Sequence, residues 1–356
     1  MLLLKLKLRF ANAQIEPLTE PPAQTPAKPN AAPNAAPNAA VRQLSVDENS
    51  DGQRLDNFLL RELKGVPKTH VYRIIRSGEV RVNKGRAQAD RRLLAGDTVR
   101  VPPVRVAEKM AEPMPVLAPP KAFAVLLEDE HVLAIDKPSG VAVHGGSGLS
   151  FGVIEQLRRA RPQAPFLELV HRLDRETSGI LLVAKKRSAL TGLQDQFRSR
   201  ETGKTYLALV QGQWPANKKV LDQPLAKFHL PGKNGLEEGE RRVKVVAKDD
   251  PEGMKSVTLV KIARRMAQFT LLQVTIKTGR THQIRVHLAS AGFPIAGDDK
   301  YGNFEANRSL QKQGLKRMFL HAWQLQFAHP SSGEVISLES ALPPDLTSFV
   351  EAQSRL

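Results

Sequence analysis

The sequence predicts an α+β fold, with a mainly antiparallel mixed sheet in a large C-terminal domain and a small domain in front of it. From residue 122 onward, short strand-like apolar runs follow one another, with too few helical stretches between them for a doubly wound parallel sheet. A proline-rich stretch over residues 102–121 separates these runs from a compact apolar pattern over residues 42–101. A length of 356 residues is enough for two such domains.

The large domain, residues 122–356, contains eight predicted strands and three predicted helices. The strands are Val125–Leu127, Val132–Ile135, Ile180–Val183, Tyr206–Val210, Val243–Val246, Phe269–Ile276, Phe319–Phe327 and Val335–Leu338. The helices are Ala189–Arg198, Thr281–Ala291 and Asp345–Gln353, the second of them with Thr281 as its N-cap.

Residues 42–101 have the pattern of two helices and a few short strands. Apolar residues at helical spacing over Leu55–Leu63 predict the first helix. The second helix is expected to begin at a Thr69 cap and to end at Gly78. Alternation of apolar and basic residues predicts short strands at Val80–Val82 and Val99–Val101.

Residues 1–41 form a Pro/Ala/Asn-rich tail that we expect to be disordered. The tract includes the repeat PNAAPNAAPNAA at Pro29–Ala40, which has almost nothing to bury. Met1–Phe10 begins like a signal peptide, but Lys5, Lys7 and Arg9 interrupt any apolar core of one. A plain extension is therefore favoured over a targeting segment.

The formal net charge of +17 and the absence of cysteine narrow the function. Without cysteine, disulfides, cysteine zinc sites, iron–sulfur clusters and thiol nucleophiles are excluded. No apolar run reaches the roughly 18–20 residues that cross a bilayer, so an integral membrane protein is not expected. The excess positive charge suits nucleic acid, another polyanion or an anionic membrane surface as partner.

The positive charge is clustered. Residues 54–101 carry +7 of the net charge, and Gly253–Gly297 holds seven basic residues and no acidic one. His70, Arg73 and Arg76 lie three residues apart on the second predicted helix, on the side away from its apolar residues. A solvated helix face would explain an isolated run, but the basic residues continue into the following strand, which favours a phosphate-binding surface.

Two polar clusters are candidates for the chemistry. The loop His171–Gly179 lies between two apolar strands and carries Asp174 between two arginines, an arrangement that favours an ionised carboxylate, although a charged surface turn has the same composition. The segment Thr278–Arg285 ends a strand and begins a helix. Its backbone amides and arginines suit an anion, either a phosphate or a carboxylate from elsewhere in the fold.

Other chemistries have weaker support. Gly148–Gly152 matches the G-x-S-x-G elbow of serine hydrolases, but the parallel sheet of that class is not predicted here. His282 and His287 are five residues apart rather than the three or four that metal ligands on one helix face need. No phosphate-binding G-x-x-x-x-G-K-[ST] loop occurs. We therefore expect no metal and no nucleotide hydrolysis.

Several motifs in order resemble the pseudouridine synthases that act on ribosomal RNA. They are DKPSGVAVHGG at Asp136–Gly146, HRLDRETSG at His171–Gly179, KTYLALVQG at Lys204–Gly212, TGRTHQIRVH at Thr278–His287 and FLHAWQLQFAHP at Phe319–Pro330. The small domain resembles the S4-type RNA-binding domain through RLDNFL at Arg54–Leu59, YRIIRSGEVRVN at Tyr72–Asn83 and LLAGDTVRV at Leu93–Val101.

The resemblance implies a reaction and a set of site residues. The enzyme would isomerise uridines of 23S ribosomal RNA, free or in a large-subunit precursor, in the cytoplasm, as a monomer and without a cofactor. Asp174 would be the nucleophile, Arg285 would pair with it, Tyr206 would stack on the flipped base and Arg172 would fill the space that the base leaves. Further RNA contacts are expected from Lys137, Arg280, Arg73, Arg76 and Arg81. There are two alternatives: a ribosome-assembly factor whose synthase domain is inert, and a synthase that acts on transfer RNA or on another ribosomal site.

Overall fold

The computed structural model describes residues 40–104, 119–145, 151–230 and 241–354. Nearly all of the predicted tail, most of the proline-rich linker and Gly148–Ser150 of the G-x-S-x-G match lie outside these ranges. Where the domain boundaries fall therefore stays a prediction.

The small domain packs two helices on a four-stranded sheet. Its elements are β1 (Arg42–Ser45), α1 (Leu55–Glu62), α2 (Lys68–Arg76), β2 (Arg81–Val82), β3 (Gly85–Arg86) and β4 (Thr98–Val101). The strand order is β1-β4-β2-β3, and all pairs are antiparallel. Phe58 and Leu59 of α1 belong with Ile74 of α2 to an apolar core that is separate from that of the large domain.

The prediction of Thr69 as a helix cap is wrong. Helix α2 begins at Lys68, directly after Pro67, whose φ of −56° is already suited to a helix start. The sequence does not predict strand β1 either, since its RQLS segment is largely exposed and follows no apolar alternation. This strand is held by pairing with β4, with Arg42 opposite Val101.

The large domain is built on one mixed sheet. Its strands are β5 (Ala124–Glu128), β6 (Val132–Lys137), β7 (Glu168–Leu169), β8 (Ser178–Ala184), β9 (Gly203–Gln211), β10 (Val220–Leu221), β13 (Thr258–Arg265), β14 (Phe269–Ile276), β15 (Leu320–Ala328) and β16 (Val335–Glu339), while β11 (Leu225–His229) and β12 (Arg241–Val245) form a separate hairpin. The main path runs β10-β13-β14-β9-β15-β8-β6-β5. Within the described ranges only β8 and β15 pair in parallel, which confirms the mainly antiparallel prediction.

Five helices accompany this sheet in the described part of the large domain. They are α3 (Val153–Ala160), α4 (Arg187–Ser199), α5 (Gln283–Ser290), α6 (Phe304–Lys312) and α7 (Pro344–Gln353). The sequence predicts α4, α5 and α7 of these. None of the described helices combines the length and the apolar character that a membrane span requires.

The central strands bury both faces. Along β8, Leu181 and Val183 belong to one apolar core, whereas Ile180 and Leu182 belong to the core on the other side of the sheet. Alternate side chains of a strand point to opposite faces, so a continuous apolar run is what such a strand requires. In β15 the register against β9 shifts between Ala322 and Gln324, which changes which residues face each core.

Position 179 requires glycine, because β8 approaches β15 closely there. Its φ is +108°, and a Cβ there would lie 2.3 Å from the carbonyl oxygen of Ala322. We expect Gly179→Ala to lower the free energy of unfolding by about 3 kcal/mol or more, because backbone strain and overlap with main-chain atoms add. Urea denaturation measures the loss.

Gly333→Ala is the matched control. Gly333 also has a positive φ, +74°, but no atom lies within 4 Å of the position that a Cβ would take there. Only the strain of about 1–2 kcal/mol should remain in this variant. Equal losses in the two variants would show that the approach of β8 to β15 does not require glycine.

Candidate active site

A cavity of about 750 Å³ opens where the loop before β8, the strand β9, the end of β14 and the start of α5 meet. It brings together Asp174, Tyr206, Arg285, Arg172 and Arg280, residues that lie on separate motifs of the sequence. Lys137 and the three arginines of the small domain do not line it. The volume is in the range of sites that enclose a small molecule or a single nucleotide.

The backbone of the Asp174 loop is clamped by the segment that follows β6. Gly140 N–H donates to the carbonyl of Arg175 at 2.9 Å, and the Ser139 hydroxyl donates to the carbonyl of Glu176 at 2.7 Å. Thr177 N–H closes a turn on the carbonyl of Asp174 at 3.1 Å. These contacts join two motifs that are more than thirty residues apart, and they hold the carboxylate on a rigid mount.

The expectation that Lys137 binds RNA is corrected by its position. The side chain is fully buried, and its Nζ donates to the carbonyls of Pro138, Val141 and Arg175 at 2.8, 2.8 and 3.0 Å. Burial lowers the pKa of this amine to about 7. Lys137 therefore braces the Asp174 loop from inside and presents no charge to a ligand.

Arg285 lies between two carboxylates. Its Nε and Nη2 donate to the two oxygens of Asp298 at 2.8 and 2.7 Å, and its Nη1 donates to Oδ2 of Asp174 at 3.2 Å. Burial alone would lower the pKa of Arg285, but the hydrogen bonds and charges of Asp298 and Asp174 raise it above its usual value. The guanidinium is permanently charged and stabilises an ionised Asp174.

Asp298 is a site residue that the sequence does not identify. It is fully buried and also accepts hydrogen bonds from the backbone N–H groups of Lys300 and Tyr301. Burial opposes its charge, but the hydrogen bonds from Arg285 outweigh it and hold the pKa of Asp298 below its usual value. The one local signal is that Asp298 is the first acidic residue after the acid-free stretch Gly253–Gly297.

The predicted cap of α5 is wrong. The N-cap is His282, which has a left-handed backbone with φ +52°, and Thr281 lies before it. Gln283 organises this segment: its Oε1 accepts from the Thr278 hydroxyl and from Arg280 N–H, and its Nε2 donates to the Val257 carbonyl. These contacts hold the segment between β14 and α5, and no side-chain hydrogen bond caps the first turn of the helix.

Two family models match the chain, one on each domain. The model described as RNA pseudouridylate synthase matches residues 131–290, and the model described as S4 domain matches residues 53–99. Ribosomal large subunit pseudouridine synthase C of Pasteurella multocida is 51% identical over 88% of this chain and 94% of its own length. The protein of the same name from Escherichia coli K12 is 53% identical over 86% of this chain and 95% of its own length.

The chain belongs to the RNA pseudouridine synthases. A solved structure of human RNA pseudouridylate synthase domain containing 4 agrees, with a TM-score of 0.52 at 25% identity over 64% of this chain and 92% of that one. The family converts a uridine within RNA: the bond from N1 of the base to the ribose breaks, and C5 of the base takes the place of N1. The prediction of an S4-type domain in front of the synthase domain is confirmed as well.

Tyr206 faces the cavity of the synthase from β9, where it pairs with Val274 and Ala322 of the neighbouring strands. It is 9% exposed, so the ring is largely buried and its cavity side is open to a ligand. Burial, and then the negative charge of Asp174, raise the pKa of the Tyr206 phenol. The ring is therefore a neutral aromatic surface beside the carboxylate.

The wall of the cavity is basic beyond the residues that the sequence singles out. Arg172 is exposed there and Arg280 is half-buried, with its Nε donating to the Lys255 carbonyl at 3.4 Å. Four further cationic residues line the cavity: Arg175, Arg198, Arg200 and Lys204. The sequence does not reveal Arg198 and Arg200 as site residues, because they lie at the end of α4, which carries no catalytic motif.

A stacked pair supports this wall. The rings of His171 and Phe197 stack at 4.8 Å, and the Lys204 ammonium lies 4.8 Å over the Phe197 ring. Burial and the nearby charge of Lys204 lower the pKa of His171 to about 3, so its neutral Nε2 accepts a hydrogen bond from Leu182 N–H at 3.1 Å. His171 is thus a structural residue of the Asp174 loop.

The S4 domain of the synthase exposes basic residues on its second helix and its sheet. Arg73 and Arg76 are exposed on α2. Arg81 of β2 lies opposite Arg86 of β3 and Arg100 of β4 in the sheet register. Like charges directly opposite each other destabilise a sheet, so this arrangement favours an anionic partner.

Serine and metal chemistry gain no support in the described residues. No group of three potential metal ligands among His, Asp and Glu occurs in the part of the chain that the structure describes. Ser150 lies outside that part, and the single parallel strand pair within it does not form the parallel sheet of serine hydrolases.

Asp298→Asn tests the buried pair. We expect it to lower the free energy of unfolding by about 3–5 kcal/mol at pH 7, because Arg285 loses its fully buried partner. The pKa of Asp298 is lower in the folded than in the unfolded state. The stability that Asp298 contributes is therefore fully present above its unfolded pKa of about 3.9, and it is lost as the pH falls through its folded pKa. The difference in free energy of unfolding between the native protein and Asp298→Asn, measured by urea titration, should therefore be smaller at low pH.

Asp345→Asn is the control for this measurement. Asp345 pairs with Arg317 at 2.7 Å, but its side chain is 54% exposed. Its loss should cost less than about 1 kcal/mol. Equal effects of the two substitutions would contradict a special role of the buried pair.

Proposed function

We propose that this synthase converts specific uridines of 23S ribosomal RNA to pseudouridine, with Asp174 as the nucleophile and no cofactor. The observation that carries the proposal is the Asp174 carboxylate, which is 26% exposed at the cavity and lies 3.2 Å from the nearly buried Arg285. The match to proteins named for the ribosomal large subunit extends over most of the chain and supports the choice of RNA.

The target base has to leave its stack to reach Asp174, at a cost of a few kcal/mol. Tyr206 offers a neutral ring in the cavity, and stacking of a base on an aromatic side chain contributes roughly 1–3 kcal/mol. Arg172 is exposed two residues before Asp174 and is the side chain we assign to the space that the base leaves. These contacts offset the cost of extrusion.

Asp174 then acts on the extruded nucleoside. Attack on the sugar carbon, attack on the ring and initial proton loss from the sugar are all open, and each needs an ionised carboxylate. Arg285 stabilises that form through Oδ2 and leaves Oδ1 for other partners. Tyr206 keeps its proton, because burial raises its pKa, and it adds no second negative charge beside Asp174.

Binding of the RNA is divided between the domains. The arginines of the S4 domain and the basic wall of the cavity supply salt-sensitive contacts to the phosphate backbone. We place the enzyme in the cytoplasm with its ribosomal RNA, free or in a large-subunit precursor, and propose that it acts as a monomer.

Mapping of pseudouridines in cells that lack the protein tests both the chemistry and the substrate. Complementation with the native protein should restore sites in 23S ribosomal RNA, whereas Asp174→Asn should restore none, because the amide cannot replace the ionised carboxylate. RNA binding by the variant should stay within about twofold, since Asp174 supplies no phosphate contact.

Two kinds of outcome would contradict this proposal. Pseudouridine formation by Asp174→Asn would refute the role of the aspartate. If cells that lack the protein lose pseudouridine only from transfer RNA, the ribosomal substrate is refuted. If such cells keep all their pseudouridines but assemble defective large subunits, an assembly factor is favoured.

The double variant Arg73→Gln with Arg76→Gln tests the S4 surface. We expect weaker RNA binding and a salt dependence that falls by about one unit of log–log slope for each arginine that contacts a phosphate. Filter binding at several salt concentrations measures both. Arg308→Gln with Lys312→Gln, on α6, removes the same charge elsewhere and should leave the slope unchanged; equal changes would show a general charge effect.

A further inference from the structure

His282 lies on the opposite oxygen of Asp174 from Arg285. Its Nε2 is 3.9 Å from Oδ1 of Asp174, while Arg285 contacts Oδ2. The imidazole is 16% exposed and lines the cavity. The separation exceeds a hydrogen bond, but catalytic hydrogen bonds are often long before the substrate is bound and shorten when it is.

Tyr301 determines which nitrogen of His282 carries the proton. The Tyr301 hydroxyl accepts a hydrogen bond from Val243 N–H at 3.1 Å, and it lies 2.8 Å from Nδ1 of His282. Among the described residues Nδ1 is the one acceptor within hydrogen-bond distance of the hydroxyl, so we assign the phenol proton to the bond with Nδ1. A neutral His282 then carries its proton on Nε2, the nitrogen that faces Asp174.

The backbone holds this ring in place at a cost. His282 has φ +52°, a left-handed conformation that is unfavourable for a residue with a side chain. Its carbonyl accepts from Val286 N–H at 2.9 Å in the first turn of α5, so the residue is fixed at the start of the helix. Strain of this kind is retained where the surrounding structure needs a side chain in one direction.

Burial favours the neutral form of His282. Burial lowers its pKa; Arg285 and Lys300 act in the same direction, against Asp174 and Asp298. A neutral N–H donor orients the carboxylate without adding a second cation to the one that Arg285 supplies. A protonated ring would stabilise the resting carboxylate further and would also lose the hydrogen bond that Tyr301 donates.

We propose that His282 is a positioning residue of the reaction: its Nε2–H, fixed by the Tyr301 hydroxyl, donates to Oδ1 of Asp174 in the substrate complex. With Arg285 on Oδ2 and His282 on Oδ1, the carboxylate can no longer rotate about its Cβ–Cγ bond. The remaining lone pairs then face the nucleoside. The inference rests on the proposed role of Asp174.

Three variants test the proposal, with pseudouridine formation followed as a function of RNA concentration. His282→Asn retains a residue type that tolerates the left-handed backbone, but its amide is too short to reach Asp174. We expect kcat to fall by about 10- to 100-fold, the ratio for one lost hydrogen bond to a charged group, and KM to stay within about twofold. His282→Gln places an amide N–H near the position of Nε2 and should recover part of the loss.

Tyr301→Phe keeps the aromatic ring and removes the hydroxyl. Nδ1 of His282 is then free to take a proton, so we expect kcat to fall and the acid limb of the kcat profile to move to higher pH. Selective carbon and nitrogen NMR labelling of histidine should report the Nε2–H form in the native protein and a mixture of tautomers in the variant. If His282 had a purely structural role, the tautomer could still change in Tyr301→Phe, but kcat and its pH profile would stay native in both Tyr301→Phe and His282→Asn.

His329→Asn is the control. His329 also pairs with an aspartate, Asp129, at 3.1 Å, but neither residue lines the cavity. Its kcat should equal that of the native protein. Native kcat and pH profiles in His282→Asn and Tyr301→Phe, or an Nδ1–H form in the native protein, would overturn the proposal.

Asp174→Asn in the same assay distinguishes a failure of the proposed role of Asp174 from a failure of the role inferred for His282. If that variant is active, the proposed role of Asp174 fails; if it is inactive while His282→Asn is fully active, only the present inference fails. Should His282→Asn not fold, as judged by its thermal unfolding, Tyr301→Phe and the NMR measurement decide.

Discussion

The guanidinium of Arg285 is the group on which the site depends. A buried cation needs partners, and Asp298 takes two of its nitrogens while Asp174 takes the third. The two carboxylates differ in exposure: the side chain of Asp298 is fully buried, and that of Asp174 is 26% exposed at the cavity. Asp298 therefore satisfies the charge, and Asp174 remains available for chemistry. The same ion pairs join α5, the turn after Ile295 and the loop before β8.

The sheet supplies the rigidity that this arrangement needs. Strand β8 is buried along its whole length between two apolar cores, and it begins directly after the Asp174 loop. The loop is clamped by Ser139 and Gly140, and the buried Lys137 ties three carbonyls together beneath it. Polar contacts to backbone atoms, together with the packing of Leu173 in the core and of His171 on Phe197, thus hold the loop in place. Its cavity side stays free for RNA.

Whether the sequence predicts a helix or strand depends on which of its residues are buried. Strands β6, β8 and β14 carry apolar residues on one or both faces, so their pattern is sufficient. Strand β13 ends in exposed arginines, and α6 buries only Leu310, so neither produces an apolar pattern of the expected period. The predicted helix caps at Thr69 and Thr281 are wrong, because Pro67 and the left-handed His282 occupy the positions that a threonine would take.

By itself the sequence determined the fold class, the basic surface, the two types of domain and the motif residues Asp174, Tyr206 and Arg285. The fold class and the basic surface rest on local patterns of apolar periodicity and charge, whereas the types of domain and the roles of the motif residues rest on the resemblance to a known family. Only the tertiary structure decided that Asp298 completes the pair of Arg285, that His282 faces Asp174 with Tyr301 on its other nitrogen, and that Lys137 points inward. The physical reason is distance along the chain: these contacts join residues that are separated by tens to more than a hundred positions, and no local pattern specifies which carboxylate, imidazole or carbonyl a buried cation will meet.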